Sequence, residues 1–316
     1  MERYEKLLRE TDLFLRNTWN YAAETVYPFV VRADIDPNDI TTLGGITGAL
    51  AGYCIAQGRF NFGRFLLTSS LGCDVWDGWL ARREGKESQF GAYLDSLLDR
   101  STEVCLLTGM SIHGQKQNWQ DVHFLAELAR PLVLAPAEMR MLADQNGIEV
   151  PKFDVGSRAV RMGLFTLCLA YPYEEVWKKC LLGMVITSGI TTMHRASILL
   201  RSGENNKGEP IDRNGIVDAL VQTVGERFAW QLMDSDFAQF AGDSGLIKNY
   251  ARGKKDLIMG NKTVYSQKES DQTMSNLIAG ITAKDIPVIG RAAQWYLLAR
   301  EVGAIAKTVH EAHEAF

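Results

Sequence analysis

Four aspartates, Asp74, Asp77, Asp95 and Asp99, fall within the stretch DVWDGWLARREGKESQFGAYLDSLLD, and the segments on either side of it are apolar. On a helix, Asp74, Asp77, Gly78, Ala81 and Arg82 occupy positions i, i+3, i+4, i+7 and i+8 and lie along one face. Gly91, Asp95 and Asp99 share a face of the following helix at i, i+4 and i+8. A short turn around Arg83 to Ser88 makes these helices antiparallel neighbours, so the four carboxylates can converge. Left without counterions they would repel one another strongly in a low dielectric. An oxygen-only donor set suits Mg²⁺ or Mn²⁺, and it lacks the imidazole and thiolate that zinc prefers. Two such ions held between shared carboxylates could clamp a diphosphate. Gly78 and Ala81, with little or no side chain, let a ligand come close to the helix. A solvated acidic face is the alternative for two aspartates on one helix; four on adjacent helices, with small residues on the same stripe, favour a binding site.

The elements that must position these residues are helices. Apolar stretches recur at about 40–57, 64–81, 91–112, 121–142, 156–173 and 176–199, separated by short polar breaks, which predicts six helices and an all-α fold. None is an uninterrupted apolar run of the length a simple lipid-facing span shows, so hydropathy alone leaves both a membrane bundle and a buried soluble bundle open. Residues 1–36 read as an amphipathic segment, with Leu7, Leu8, Phe14, Leu15 and Trp19 on one face, either lying on a bilayer or forming a plain surface helix. In DIDPND, Pro37 ends that segment and Asn38 or Asp39 can cap the next helix. Residues 201–316 turn polar and contain no candidate span. IVDALVQTVGERFAWQLM and the segment from Gly290 to Phe316 are helical by period, and the YSQKESDQT region reads as loop. This gives three parts: 1–36, a bundle over 37–200, and a mostly helical soluble extension over 201–316.

Bulk composition excludes more than it identifies. A net charge of -4 and the lack of a basic block interleaved with aromatics argue against nucleic acid as a partner. Cys54, Cys73, Cys105, Cys168 and Cys180 are far apart in apolar segments, and read as reduced core thiols. MERYEKLLRETDLF mixes charges of both signs, so no cleavable signal is expected. If the bundle is in a membrane, Arg3, Lys6, Arg9, Arg16 and Arg32 before the first span, and Arg82, Arg83 and Lys86 after the second, put the N-terminus and the aspartate loop on the cytoplasmic side.

Asp74, Asp77, Gly78, Ala81, Arg82, Gly91, Asp95 and Asp99 fit the pattern D-x2-D-G-x2-A-R-x8-G-x3-D-x3-D without departure, and in this the chain resembles the CDP-alcohol phosphatidyltransferase family. The resemblance covers about Pro37 to Leu200. It implies an integral membrane bundle of six transmembrane helices that transfers a phosphorylated group from a CDP-linked donor such as CDP-diacylglycerol to an alcohol, with release of CMP. It implies that Asp74, Asp77, Asp95 and Asp99 hold two Mg²⁺ or Mn²⁺ ions, with Asp99 as general base. It also implies that Asn38, Asp77, Gly78, Ala81, Arg82 and Gly91 border the nucleotide, and that the protein forms a homodimer. Pro37, Asn38 and Thr41 resemble the family's P-N-x-I-T entry to the first span.

Acceptor identity rests on other residues. EMRMLADQNG and GSRAVR resemble stretches found in members that use inositol phosphate, and Arg140, Arg158 and Arg161 could bind an acceptor phosphate through their planar guanidinium forks. Glu138 stands where that pattern has tyrosine and Leu142 where it has a basic residue, which keeps glycerol 3-phosphate as a rival acceptor. His194 and Arg195, at the end of the sixth span, read as interfacial. Two other classes of function remain: a metal-binding transport or scaffold protein reusing the fold, and a soluble helical protein with a chance motif match.

Overall fold

A computed structural model of the chain describes residues 35–151, 155–204, 212–219, 236–261 and 303–315, with Glu24, Tyr27 and Pro28. Among these residues the regular structure is helical and there is no β-strand. Six helices occupy the predicted apolar segments one to one: α1 (Pro37–Ala56), α2 (Phe60–Glu84), α3 (Gln89–Lys116), α4 (Gln120–Gln145), α5 (Arg158–Ala170) and α6 (Glu174–Arg201). A seventh, α7 (Asp236–Ile258), follows in the extension, where 213–219 and 303–315 are also helical. The amphipathic segment expected over 1–36 and the YSQKESDQT loop lie almost wholly outside the described residues.

The first helix starts differently from the expectation. Its N-cap is Asp36, whose carboxylate accepts from the Asn38 amide at 2.9 Å, while the Asp39 carboxylate accepts from the Asp36 amide at 3.2 Å. Pro37 explains the shift: it has no N–H to satisfy and its fixed φ suits the first helical position, so the cap falls on the residue before it. Asn38 is thereby released from capping. The fifth helix is also shorter than expected, 13 residues, because the Tyr171–Pro172 step stops it.

Close approach of backbones holds α1 in place. Gly44, Gly48 and Gly52 recur at i, i+4 and i+8 on the face that packs on α2 and α3. A Cβ on Gly52 would run into the Cys105 carbonyl, and one on Gly109 of α3 into the Gly52 carbonyl. Only glycine fits such a contact. Below this crossing, the apolar core gathers Ile55, Leu67, Leu107, Met110, Phe165 and Trp177. Trp177 is fully buried and donates its indole N–H to the Cys168 carbonyl at 2.8 Å, fastening α6 to α5.

No helix among the described residues is long and apolar enough to cross a membrane. Length is sufficient in α2, α3, α4 and α6, since 25 to 28 residues give about 38 to 42 Å. Polar content is what lowers them. Yet much of that polarity points inward: Glu103, Glu127, Arg130, Glu138, Arg161 and Arg195 are buried, and the Ser111 hydroxyl of α3 donates to Glu127 of α4 at 2.5 Å. Leu43, Ile46, Leu50 and Tyr53 on α1, and Leu182, Ile186, Ile190 and Met193 on α6, form exposed stripes at helical spacing.

The extension is docked on this bundle. α7 packs on α3 and α4 through Tyr93, Leu97, Leu134, Tyr250 and Ala251, and the helix 303–315 adds Ala312 to the same cluster. Lys255 pairs with Glu311, and the rings of Phe90 and His313 meet edge-on at 4.9 Å.

The glycine crossing gives a stability test. Gly52→Leu and Gly109→Leu are each expected to cost about 1–3 kcal/mol or more through overpacking, lowering the thermal unfolding midpoint, whereas Gly72→Ala, with nothing within 4 Å of its added Cβ, should leave it unchanged. Wild-type midpoints in all three variants would show that the backbones are not in contact.

Candidate active site

The turn between α2 and α3 brings the aspartates together. Gly85 takes the left-handed conformation at the end of α2 (φ 64°), and the Ser88 hydroxyl caps α3 by accepting from the Gly91 amide at 2.9 Å. The reversal places Asp74 of α2 against Asp95 and Asp99 of α3, with one carboxylate oxygen of each within 4.8 Å of the others. Asp77 borders the same small cavity as these three, and its carboxylate accepts from the Thr41 hydroxyl of α1 and from the Gly78 amide. The three clustered aspartates are only partly buried and offer hard oxygen donors alone, a set that fits a divalent cation of the Mg²⁺ type. A cationic group already contacts it. Arg158, the first residue of α5, donates to Asp74 at 3.0 Å and pairs with Asp99.

On one side of the aspartates lies a cavity of about 170 Å³ between α1, α2 and α3. Its lining includes Asn38, Asp77, Gly78, Ala81, Arg82 and Gly91, all six residues whose spacing and resemblance marked them as nucleotide neighbours. Gly91 is needed for the opening, because a Cβ there would lie 3.0 Å from the Asn38 amide oxygen and 3.1 Å from the Ser88 hydroxyl.

On the other side lies a cavity of about 430 Å³ with a basic lining: Arg100, Arg140, Arg158, Arg161, Arg195 and Lys254. Arg158 belongs to the lining of both this cavity and the aspartate cluster. The basic groups are not equivalent. Glu103, with no exposed surface, accepts from Arg161 through both oxygens, at 2.7 and 2.9 Å, and from Arg100 at 2.6 Å. Arg161 also donates to the Gly156 carbonyl, and Arg195 donates to the carbonyls of Pro136 and Pro151 at 2.6 and 3.1 Å. Arg140 and Lys254 form no hydrogen bond or ion pair with any described residue, and both line the cavity half-buried.

Arg158 and Arg161, two of the three arginines expected to bind an acceptor phosphate, line this cavity and are paired with carboxylates. Arg195, expected at an interface, is buried, while its neighbour His194 is exposed. Leu142, which departs from the inositol-phosphate pattern, packs with Met139 and Leu199 in an apolar cluster. Glu103 went unread in the sequence although a signal existed: it continues the stripe Gly91, Asp95, Asp99 by one more step of four. Tyr250 and Lys254 carried no such signal, since nothing local ties α7 to residues 150 positions earlier.

A profile of the CDP-alcohol phosphatidyltransferase family matches residues 35–193, half of the chain. The chain belongs to that family. Among similar proteins, the phosphatidylinositol phosphate synthase of Cutibacterium acnes is 30% identical over 152 residues, which are 46% of this chain and 72% of that protein. The archaetidylinositol phosphate synthase of Pyrococcus horikoshii is 34% identical over 40% of this chain and 66% of its own length. A probable phosphatidylglycerophosphate synthase of Mycobacterium tuberculosis is 29% identical over 40% of this chain and 61% of its own. No solved structure matches the chain. The family match ends before α7, so the part of the basic cavity built by the extension lies outside it.

Glu103 ties two of the cavity's arginines together, and its removal should be costly. Glu103→Leu is expected to destabilise the fold by about 3–5 kcal/mol, because Arg161 would be left buried, and Arg100 half-buried, without their shared counterion. Chemical denaturation would measure this, and a loss below about 1 kcal/mol would mean that the pairs contribute little, as exposed ones do.

Proposed function

We propose that the chain is a divalent-metal-dependent membrane enzyme that transfers a phosphatidyl or similar phospho-alcohol group from a CDP-linked lipid to a phosphorylated hydroxyl acceptor, releasing CMP. The observation that carries this reading is the order of three features along the bundle: a cavity lined by the motif's small residues, the carboxylate cluster, and a basic cavity reached past Arg158. Asn38, Gly78, Ala81, Arg82 and Gly91 border the nucleotide, and Asp77 faces it from its hydrogen bond with Thr41. Mg²⁺ or Mn²⁺, two ions by family resemblance, would be held by Asp74, Asp77, Asp95 and Asp99, which line one small cavity, and would supply positive charge to the diphosphate and to the departing CMP.

Asp99 is the general base. It borders Arg158, which lines the acceptor's cavity, and would take the proton from the acceptor hydroxyl. That oxygen forms the new bond to the β-phosphorus, the bond from phosphorus to the bridging oxygen breaks, and CMP leaves with the electron pair. No covalent intermediate on the protein is needed. Arg140 binds the acceptor's phosphate, with Arg158 and Arg161 held nearby by carboxylates. The C. acnes and P. horikoshii relatives, named as inositol phosphate lipid synthases, favour an inositol phosphate acceptor; the M. tuberculosis relative keeps glycerol 3-phosphate as the other choice.

Residues 37–200 form the catalytic bundle, integral to the membrane, with the N-terminus and the site toward the cytoplasm. Support comes from the exposed apolar stripes on α1 and α6, which suit lipid tails or, on one face, a second copy of the chain in a homodimer.

Membranes containing the protein are expected to release CMP from CDP-diacylglycerol when given inositol phosphate or glycerol 3-phosphate, only with Mg²⁺ or Mn²⁺ present. Asp99→Asn should abolish release, and Arg140→Ala should raise the acceptor KM roughly tenfold or more. Cation binding without CMP release from any CDP-linked lipid would sink the proposal and favour a non-catalytic binding protein. Recovery in the aqueous fraction without detergent would remove its membrane part.

A further inference from the structure

The extension beyond residue 200 contributes directly to the basic cavity. α7 presents Tyr250, Lys254 and Leu257, at i, i+4 and i+7, along the face that lines it. The helix is held there by contacts that do not involve Lys254. Tyr250 is 4% exposed, and its hydroxyl lies 2.7 Å from the Ser96 hydroxyl. It shares the cavity lining with Arg100 and Arg161, which pair with Glu103. Gln145 of α4 donates to the Gly253 carbonyl at 3.5 Å, and Lys255 turns to Glu311 of helix 303–315. Lys254, one residue before that paired lysine, lines the cavity half-buried without a protein partner among the described residues.

The lining also holds one carboxylate, Asp144, in no ion pair with a described residue, and among the basic groups the charge accounting singles out two. Arg100 and Arg161 share Glu103, Arg158 is paired with Asp74 and Asp99, and Arg195 is spent on backbone carbonyls. Arg140 from the bundle and Lys254 from the extension are the two uncommitted cations. A phosphate monoester carries close to two negative charges at neutral pH. A guanidinium and an ammonium lining one cavity match that charge with a planar fork and a mobile point donor.

We propose that α7 is the outer wall of the acceptor site and that Lys254 is a specificity-determining residue that binds the acceptor's phosphate together with Arg140. The inference rests on the reading of the basic cavity as the acceptor's. It gives residues beyond the family region a function: selecting a phosphorylated acceptor over its unphosphorylated polyol.

The test uses the full chain in detergent or in vesicles, with inositol 1-phosphate, glycerol 3-phosphate and free inositol as probes. Binding is measured calorimetrically, and the KM values for acceptor and for CDP-diacylglycerol are measured separately. Lys254→Ala is expected to weaken binding and raise the KM of the phosphorylated acceptor roughly ten- to hundredfold, with the donor KM and the thermal midpoint unchanged. Lys254→Arg should recover most of the loss. If the wild type binds a phosphorylated acceptor and Lys254→Ala binds it equally well, this inference fails while the reading of the cavity stands. A donor KM that rises with the acceptor KM would assign Lys254 a structural role and also overturn it. If Lys254→Ala instead changes only the dependence on anionic lipid content of the vesicles, the anion is a headgroup and the acceptor assignment fails. A wild type that binds none of the phosphorylated probes removes the reading of the cavity, and this inference falls with it.

Discussion

Charge balance along one face of α3 governs the arrangement of the bundle. Asp95, Asp99 and Glu103 recur every four residues and point into the protein, where an unpaired carboxylate would cost several kcal/mol. Their counterions come chiefly from α5. Arg158 and Arg161 stand three apart in its first turn, so both reach the same side, one toward Asp74 and Asp99 and the other toward Glu103. These pairs both hold the start of α5 and neutralise the acidic stripe, so neither role can be altered alone. The partial positive charge at the start of α5 acts in the same direction.

This arrangement depends on α5 being short. A helix of 13 residues is about 20 Å long, against about 42 Å for α3. Its N-terminus meets α3 partway along, ten residues or about 15 Å beyond the start of α3. Arginines that would sit at the rim of a full-length helix are drawn into the interior instead. They form a partition, with acid on the side of the small-residue cavity and base on the other.

The helices were legible because each is bounded by a local signal: Pro37 at the start of α1, Gly85 after α2, Ser88 before α3, Pro172 after α5. The convergence of Asp74, Asp95 and Asp99 was legible for a related reason, since helical period and one short turn determine it. What escaped reading depends on partners remote in the chain. Asp77 lines one cavity with the other three aspartates, and the hydrogen bond it accepts from Thr41 of another helix carried no local signal. Arg158 and Arg161 have the chemistry of phosphate ligands, and their pairing with carboxylates of α2 and α3 carried no local signal. The glycine stripe of α1 reads as an unremarkable apolar run until the Cys105 and Gly52 carbonyls are seen against it. Lys254 is a lysine in a polar segment, and only the docking of α7 through Tyr250 and Ala251 gives it a cavity to line.

Hydropathy left the environment of the bundle open for a physical reason that the folded chain makes plain. A helix average sums its two faces, and in α2, α3 and α4 charged groups on the inward face offset apolar groups elsewhere. The sum falls below what a crossing helix shows, although the quantity that matters to a bilayer is the outward face alone. The two stripes on α1 and α6 are outward and apolar, while Glu103, Glu127, Arg130 and Arg161 are inward and charged, the reverse of the distribution that water favours. Such an interior tolerates its charges only because each is paired within the bundle. Hence the acidic stripe of α3 both lowers the apparent hydropathy of the helix and, through α5, gives the fold its internal partition.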